Sequence, residues 1–567
     1  MLCTSRGAAK MVPYPEAALK STRVKAFLGS LMVGSVAALA IGQQSAPDLI
    51  LINGKVFTSN AKKPYVEALA IRGERIIAVG TSKEITALSG KETKRIDAGG
   101  RIVIPGINDA HYHLNVAPES YELSMKSMEP QWQEVTEALS FAVAKASKGT
   151  WITGTIGARV LDDPQATRTA LDGLAPNNPV ILSTWTGHSS ILNTLALRML
   201  GIKEGEPNPE GGVYVQNPAD GKMTGMVLEF ANFRVARRFS ELAKDEEAEQ
   251  QLNRFFAQAV RWGITSVQNM SQPISQERSL VLFQKVPPPI RVRSIWFGMT
   301  DQNGPLRTEG RSHLHVPLVT VSGTKWILDG TPIERSCAMR KPYADSPDST
   351  GSLDFSQKQI EDMLHESLES QDPLIVHIVG DRAAEVFLNA MDATGGKNTW
   401  SKRRVRIEHG EGLTPDLITR ARDLGVIVVQ NPTHLTLHNL DVKRYGPERI
   451  KELQPFRSLL DAGIPLAIGS DGPNNPYLNI MLASVDPDRP QEAITREQAV
   501  TAYTLTSAYA EFAEKDKGSL EPGKFADLAV LSQDIFTVPT DDLPKTESVL
   551  TVVGGKVVFS AKVLDVP

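Results

Sequence analysis

The sequence predicts an α/β chain: a (β/α)8 TIM barrel with a small β-sandwich domain built from both chain ends. Three observations carry this. Through the middle of the chain short branched-apolar runs alternate with amphipathic segments, which is the pattern of parallel βα units. The fragments INGKVF near the start and VGGKVV near the end resemble each other, so one small β-domain made from both termini, with the rest inserted into it, is the economical arrangement. No G-x-G-x-x-G or P-loop follows a predicted strand, which removes the usual reason to prefer the runner-up, a doubly wound open sheet.

Taken in order, residues 1–46 read as an export signal. Lys20, Arg23 and Lys25 precede the apolar run AFLGSLMVGSVAALAI (residues 26–41), and small residues follow near Ala46. The chain is therefore expected in the periplasm or outside the cell. The alternative is a membrane anchor formed by residues 26–41, a run somewhat short for a full span. Residues 47–102 and 519–567 make the composite β-domain. DLILINGKVFTSN is expected to turn at Asn53-Gly54, ALAIRGERIIAVG at Gly73, and SVLTVVGGKVVFS at Gly554-Gly555. Residues 103–518 are the barrel.

Barrel strands are expected at Ile102 to Asn108, Val180 to Trp185, Thr265 to Asn269, Val292 to Trp296 and Val319 to Leu328. Further strands follow at Leu374 to His377, Val405 to Glu408, Val426 to Gln430 and Leu466 to Ser470. Between them QKQIEDMLHESLES and PDLITRARDL carry apolar residues at helical spacing. Residues 116–148, with Met125, Met128 and Trp132, are a long connection that reads either as a lid or as a helical excursion on the rim.

Composition excludes some classes. The chain of 567 residues is 41% hydrophobic and 22% charged, enough for a large core. Its formal charge is -4, and removal of residues 1–46, with five basic and one acidic residue, takes it to -8. No nucleic-acid partner has an electrostatic footprint here. Once Cys3 leaves with the signal, Cys337 stands alone, so no intrachain disulfide can form.

Reacting groups of barrel enzymes sit where strands end at the open face. The run VIPGINDAHYH ends in Asp109, His111 and His113, and alternate residues of an extended chain point to one side, so the two histidines can share a cation. LIVHIVGDRA ends with His377, RVRIEHGE with His409 and PLAIGSDGP with Asp471. Lys325, in VTVSGTKWILDG, lies in a middle strand, where a lysine is costly unless neutral or paired. It can be salt-bridged to Asp329 or Glu334. Beside a metal it can instead lose its proton, react with carbon dioxide and bind two cations through a carbamate.

DAHYH, the strand lysine followed by ILDG, HIVGDRA, RIEHGE and GSDGP together resemble the amidohydrolase superfamily, most closely its family 3 branch. LILINGKVFT, TGHSSILNT and LEPGKFADLAVLS extend the likeness over nearly all of the chain after the signal. The resemblance implies a metal held by His111, His113 and Asp471. His377 and His409 bind a second metal or complete a single site, and Lys325, if N6-carboxylated, bridges the two. The cofactor implied is a divalent cation, zinc first, as one or two ions. The function implied is hydrolysis of a non-peptide carbon–nitrogen bond, by attack of metal-activated hydroxide on a carbonyl with Asp471 as proton shuttle. A bound zinc ion can lower the pKa of water from 15.7 to about 7, worth roughly 12 kcal/mol at 1.36 kcal/mol per unit.

Other polar residues take supporting parts. His188 ends a strand and can donate to a substrate carbonyl, and His434 can line the substrate pocket. Asp109 is expected to orient a ligand, and Asp381 with Arg382 to form an ion pair near the mouth. His313 and His315 repeat the HxH pattern but precede a strand, and so belong at the closed face. His365 is expected to be solvated on its helix. The partner is a small-molecule substrate, with no stable membrane insertion once the signal is removed and a homo-oligomer left open. Two other readings stand: a mononuclear deaminase or esterase of the same superfamily, and a non-catalytic periplasmic binding protein on the same barrel.

Overall fold

In the computed structural model, which describes residues 46–566, an eight-stranded parallel sheet curls into the expected barrel. Its strands are β1 (Ile107–Tyr112), β2 (Ile264–Met270), β3 (Arg291–Phe297), β4 (Val319–Ile327), β5 (Leu374–Ile378), β6 (Arg406–His409), β7 (Ile427–Gln430) and β8 (Leu466–Ile468). Each pairs with the next in chain order. The segment after β8 closes the ring: Asp471 N–H donates to the carbonyl of His111 at 2.9 Å, and Ser470 N–H to Asp109 Oδ1 at 2.9 Å. The two backbones come so close that a Cβ on Gly469 would strike His111. The expected export signal lies outside the described residues except for Ala46. Among the described residues no helix is long and apolar enough to cross a membrane.

Strand Val180–Thr184, expected in the barrel, belongs elsewhere. Between β1 and β2 the chain forms a separate mixed sheet of six strands. Its order is Gly212–Gln216, Met223–Glu229, Ser189–Leu192, Val180–Thr184, Trp151–Ile156 and Ser120–Glu122. Val180–Thr184 is as apolar as a barrel strand, but it pairs antiparallel with Ser189–Leu192 through a tight turn, which a parallel barrel strand cannot do. Residues 116–148 are the first part of this insertion. Trp132, on helix Trp132–Lys145, is buried in the insertion's own core with Val135, Leu139 and Ile152.

The small domain uses both chain ends. Ile102–Pro105 pairs antiparallel with Leu528–Leu531, and Leu49, Leu69, Val56, Val103, Leu528 and Leu550 share one core between a four-stranded and a six-stranded sheet. Ile102–Pro105 thus belongs to this domain. The barrel starts after Gly106, where the chain turns against Thr265 too closely for any side chain. The turns at Gly73 and Gly554-Gly555 close hairpins, with these glycines at positive φ. Asn53-Gly54 does not. Leu49–Ile52 pairs in one sheet and Lys55–Phe57 in the other, so these two residues carry the chain across the sandwich.

The helical spacing holds where tested. Gln357–Ser370 is a helix whose N-cap Ser356 and Gln359 satisfy each other's backbone N–H groups, and Pro415–Asp423 starts on its proline.

Candidate metal centre

At the C-terminal end of the barrel His111, His113, Lys325, His377, His409 and Asp471 line one cavity of about 570 Å³, and His188 joins them from the insertion. Strand geometry explains most of this. Asp109 and His111 share one side of β1 and His113 follows on the same side. On β4, Lys325 and Ile327 alternate inward, and on β5 Ile375 and His377 do the same. β6 is different. Arg406 and Glu408 occupy the inward positions, and strict alternation would turn His409 away. His409 instead takes φ +66°, which ends the strand and lets its ring meet those of His377 and His111, with centroids 4.4 and 5.1 Å away. Asp471 also has positive φ, at +52°. Uncommon backbone at two converging polar residues is the local strain that functional sites carry.

The hydrogen bonds set the tautomers. His111 donates through Nδ1 to Glu408 Oε2 at 2.5 Å, and His113 through Nδ1 to the carbonyl of Gln272 at 2.8 Å. Both Nε2 lone pairs therefore face inward, only 3.3 Å apart, with Asp471 Oδ1 at 3.6 and 3.5 Å. Two lone pairs and a carboxylate oxygen at these distances repel unless a positive charge lies among them. The donor chemistry therefore fits a divalent cation. His409 donates through Nδ1 to Asn431 Oδ1 at 2.8 Å, because the Asn431 amide nitrogen is used on the carbonyl of Gly469, and this also leaves Nε2 bare. His377 has Nε2 3.4 Å from the carbonyl of Gly330, which leaves Nδ1 as its lone pair.

The electrostatics agree. Burial holds His111, His377 and His409 below the ordinary histidine value and brings His113 down to about 4. Burial pushes Asp471 up, but His111, His434, His113 and His409 outweigh it and hold the carboxyl well below its usual range. Burial also lowers Lys325 to about 8, and among the described residues no carboxylate lies within 4 Å of its amine. The salt bridges to Asp329 or Glu334 do not form. Asp329 accepts the backbone N–H groups of Ala338, Val379 and Gly380, and Glu334 accepts the Ser189 hydroxyl.

Other expectations need correction. His434 does not line the cavity. The turn Pro432–Leu437 carries it behind His409, where it donates to Glu411 at 2.7 Å and lies 3.6 Å from Asp471 Oδ2. It makes a second cluster with His409 and Asp471 that could hold an ion. Burial opposes its charge, yet Asp471 and Glu411 raise it to about 10. His188 does not end a barrel strand; it sits at the turn between Val180–Thr184 and Ser189–Leu192. Asp381 and Arg382 do not pair: Asp381 accepts the backbone N–H of Arg340 at 2.7 Å, and Arg382 is exposed. Asp109 accepts the N–H groups of both His111 and Ser470 and so ties β1 to the segment bearing Asp471. His313, His315 and His365 are exposed, away from the cavity.

Two acids escaped sequence reasoning. Glu408 is fully buried and held below its usual range, Arg406 and His111 prevailing over burial. The alternation in RIEHGE, which puts Arg406 and Glu408 on one inward face, was the available signal. Glu229 accepts His188 Nδ1–H at 2.6 Å and the Ser336 hydroxyl at 2.7 Å. Burial opposes a charge on His188, but Glu229, Glu334 and Asp471 together raise it above the ordinary histidine value. No local pattern marks Glu229, because its partners come from other segments.

Comparison with known proteins agrees with this geometry. A family model described as the amidohydrolase family matches residues 94–559. The protein LONG AFTER FAR-RED 3 of Arabidopsis thaliana is 30% identical over 545 residues, covering 90% of this chain and 91% of its own. The N-substituted formamide deformylase of Arthrobacter pascens is 27% identical, covering 90% of this chain and 97% of its own. Among solved structures, an uncharacterized metal-dependent hydrolase from Pyrococcus horikoshii shares the fold with a TM-score of 0.67 and 23% identity, over 87% of this chain and 99% of that one.

Proposed function

Since the chain belongs to the amidohydrolase family, and so is a metal-dependent hydrolase of carbon–nitrogen bonds, we propose that it cleaves non-peptide N-acyl or N-formyl amides of small molecules. The observation that carries this is the convergence of the His111 and His113 lone pairs on the ionised Asp471, beside a buried lysine with no carboxylate within 4 Å. The similarity to a formamide deformylase supports the substrate class.

The residues divide the work. His111, His113 and Asp471 would hold one divalent cation, and His377 and His409 a second, with Lys325 as a carbamate between them. Zinc suits this His/Asp set. When bound, the metal supplies Lewis acidity at a carbonyl oxygen and lowers the pKa of water. Glu408 and the Gln272 carbonyl keep His111 and His113 in the tautomers that ligation needs. Asp471 accepts the proton of the attacking water and returns it to the leaving nitrogen, which must depart as a neutral amine. His188, anchored by Glu229, donates from Nε2 to the carbonyl oxygen as negative charge develops there.

The test is a panel of formamides, acetamides, cyclic amides and esters presented to the zinc-reconstituted protein, with bound metal counted in parallel. Amide turnover that follows metal content is expected, and esters alone as substrates would reject the proposal. Glu229→Gln is expected to lower kcat about 100-fold, the scale of one lost oxyanion donor, with KM and bound metal nearly unchanged. An unaltered kcat would show that the negative charge of Glu229 takes no part in the reaction.

A further inference from the structure

Beyond the metal centre, the cavity is walled by the insertion and the helix that follows it, α1 (Phe230–Glu241). Phe233, Ala236 and Phe239, at helical spacing, present one face of α1 to the cavity, and Ile181 and Val116 continue the apolar surface. The same helix carries three arginines, and all are used elsewhere. Arg234 donates to the carbonyl of Thr300, Arg237 to those of Ser271 and Pro273, and Arg238 to that of Leu200. Among the described residues the only charged side chain lining the cavity away from the metal centre and its histidines is the carboxylate of Glu122, which is exposed.

We infer that the substrate carries an uncharged, apolar arm seated on the Phe233–Ala236–Phe239 face, and that the site rejects N-acyl amino acids. The inference rests on the amide-hydrolase reading above and narrows its substrate class. A carboxylate on the arm would lose its water against this wall with no guanidinium or ammonium to meet it, while the exposed Glu122 repels it. An aromatic or aliphatic arm gains from the same burial. Discrimination by an unmet charge is a form of specificity that added contact area cannot overcome.

The matched probes are N-(2-phenylethyl)formamide and N-formylphenylalanine, which differ only by the carboxylate, together with their acetyl counterparts. With the zinc-loaded full chain, kcat/KM should favour the neutral member about 100-fold, as expected for one unpaired buried charge. Calorimetry on Asp471→Asn, which keeps the wall but not the proton carrier, should show the same order of binding. Glu122→Lys, at an exposed position, should narrow the preference about tenfold, and Ala236→Arg should abolish or reverse it. Turnover or binding of the anionic member equal to its neutral twin overturns the inference, as does failure of the neutral member to bind, or a preference unmoved by both variants in folded protein. If neither amide is hydrolysed but the neutral one binds more tightly, the proposed reaction fails and the selectivity stands.

Discussion

Asp471→Asn lowers kcat by about 10³- to 10⁴-fold, the upper range for a lost acid–base group, while the thermal transition stays within a few degrees of wild type. The substitution keeps the shape of the residue and the backbone N–H that bonds the His111 carbonyl, so barrel closure survives. It removes the single carboxylate shared by the two histidine clusters, with Oδ1 near His111 and His113 and Oδ2 near His409 and His434. Metal affinity is expected to fall as well, so kcat must be read at saturating zinc with bound metal counted. Hydrolysis within tenfold of wild type under those conditions would show that another group moves the proton. The binding-protein reading predicts instead that wild type and variant bind ligand equally and neither turns it over.

Lys325→Ala reduces bound metal from two ions per chain to one or fewer and costs about 100-fold or more in kcat, as loss of ligand support does at metal sites. The physical basis is the cost of the residue itself. A fully buried lysine without a carboxylate partner is unfavourable as a cation, and burial has already brought it to about 8, so the neutral amine is accessible near neutrality. Reaction of Nζ with carbon dioxide forms an N–C bond, releases a proton and turns this liability into an anionic ligand. Metal loading of wild type in carbon dioxide-depleted buffer should therefore resemble loading of the variant. An unchanged count of one ion in wild type and variant alike would sink the bridged arrangement.

Much of the fold and of the centre was legible before any tertiary information. The alternation of side chains along an extended chain put His111 and His113 on one side of a strand, and apolar runs ending in His377, His409 and Asp471 marked the open end of a parallel barrel. Each of these signals is local: a strand needs only its own side chains to declare which residues face together and where it stops. The hairpins at Gly73 and Gly554-Gly555 were legible for the same reason, since the turn residues carry the positive φ themselves.

What only the tertiary structure decided depends on partners far along the chain. The apolar run Val180–Thr184 looks the same whether its neighbour is a barrel strand or the returning arm of a hairpin, and pairing with Ser189–Leu192 put it in the insertion. Asn53-Gly54 has hairpin residues, but its flanking strands found better partners in two different sheets. Glu408 reaches His111 across 297 residues, and Glu229 reaches His188 across 41. His434 was drawn from the expected substrate wall to Asp471 by Glu411. By itself the sequence determined which side chains could bind a metal and at which strand ends. Which partner fixes each imidazole, and which residues wall the cavity, were settled by tertiary packing, because a buried hydrogen bond is specified by both of its ends and the sequence shows only one at a time.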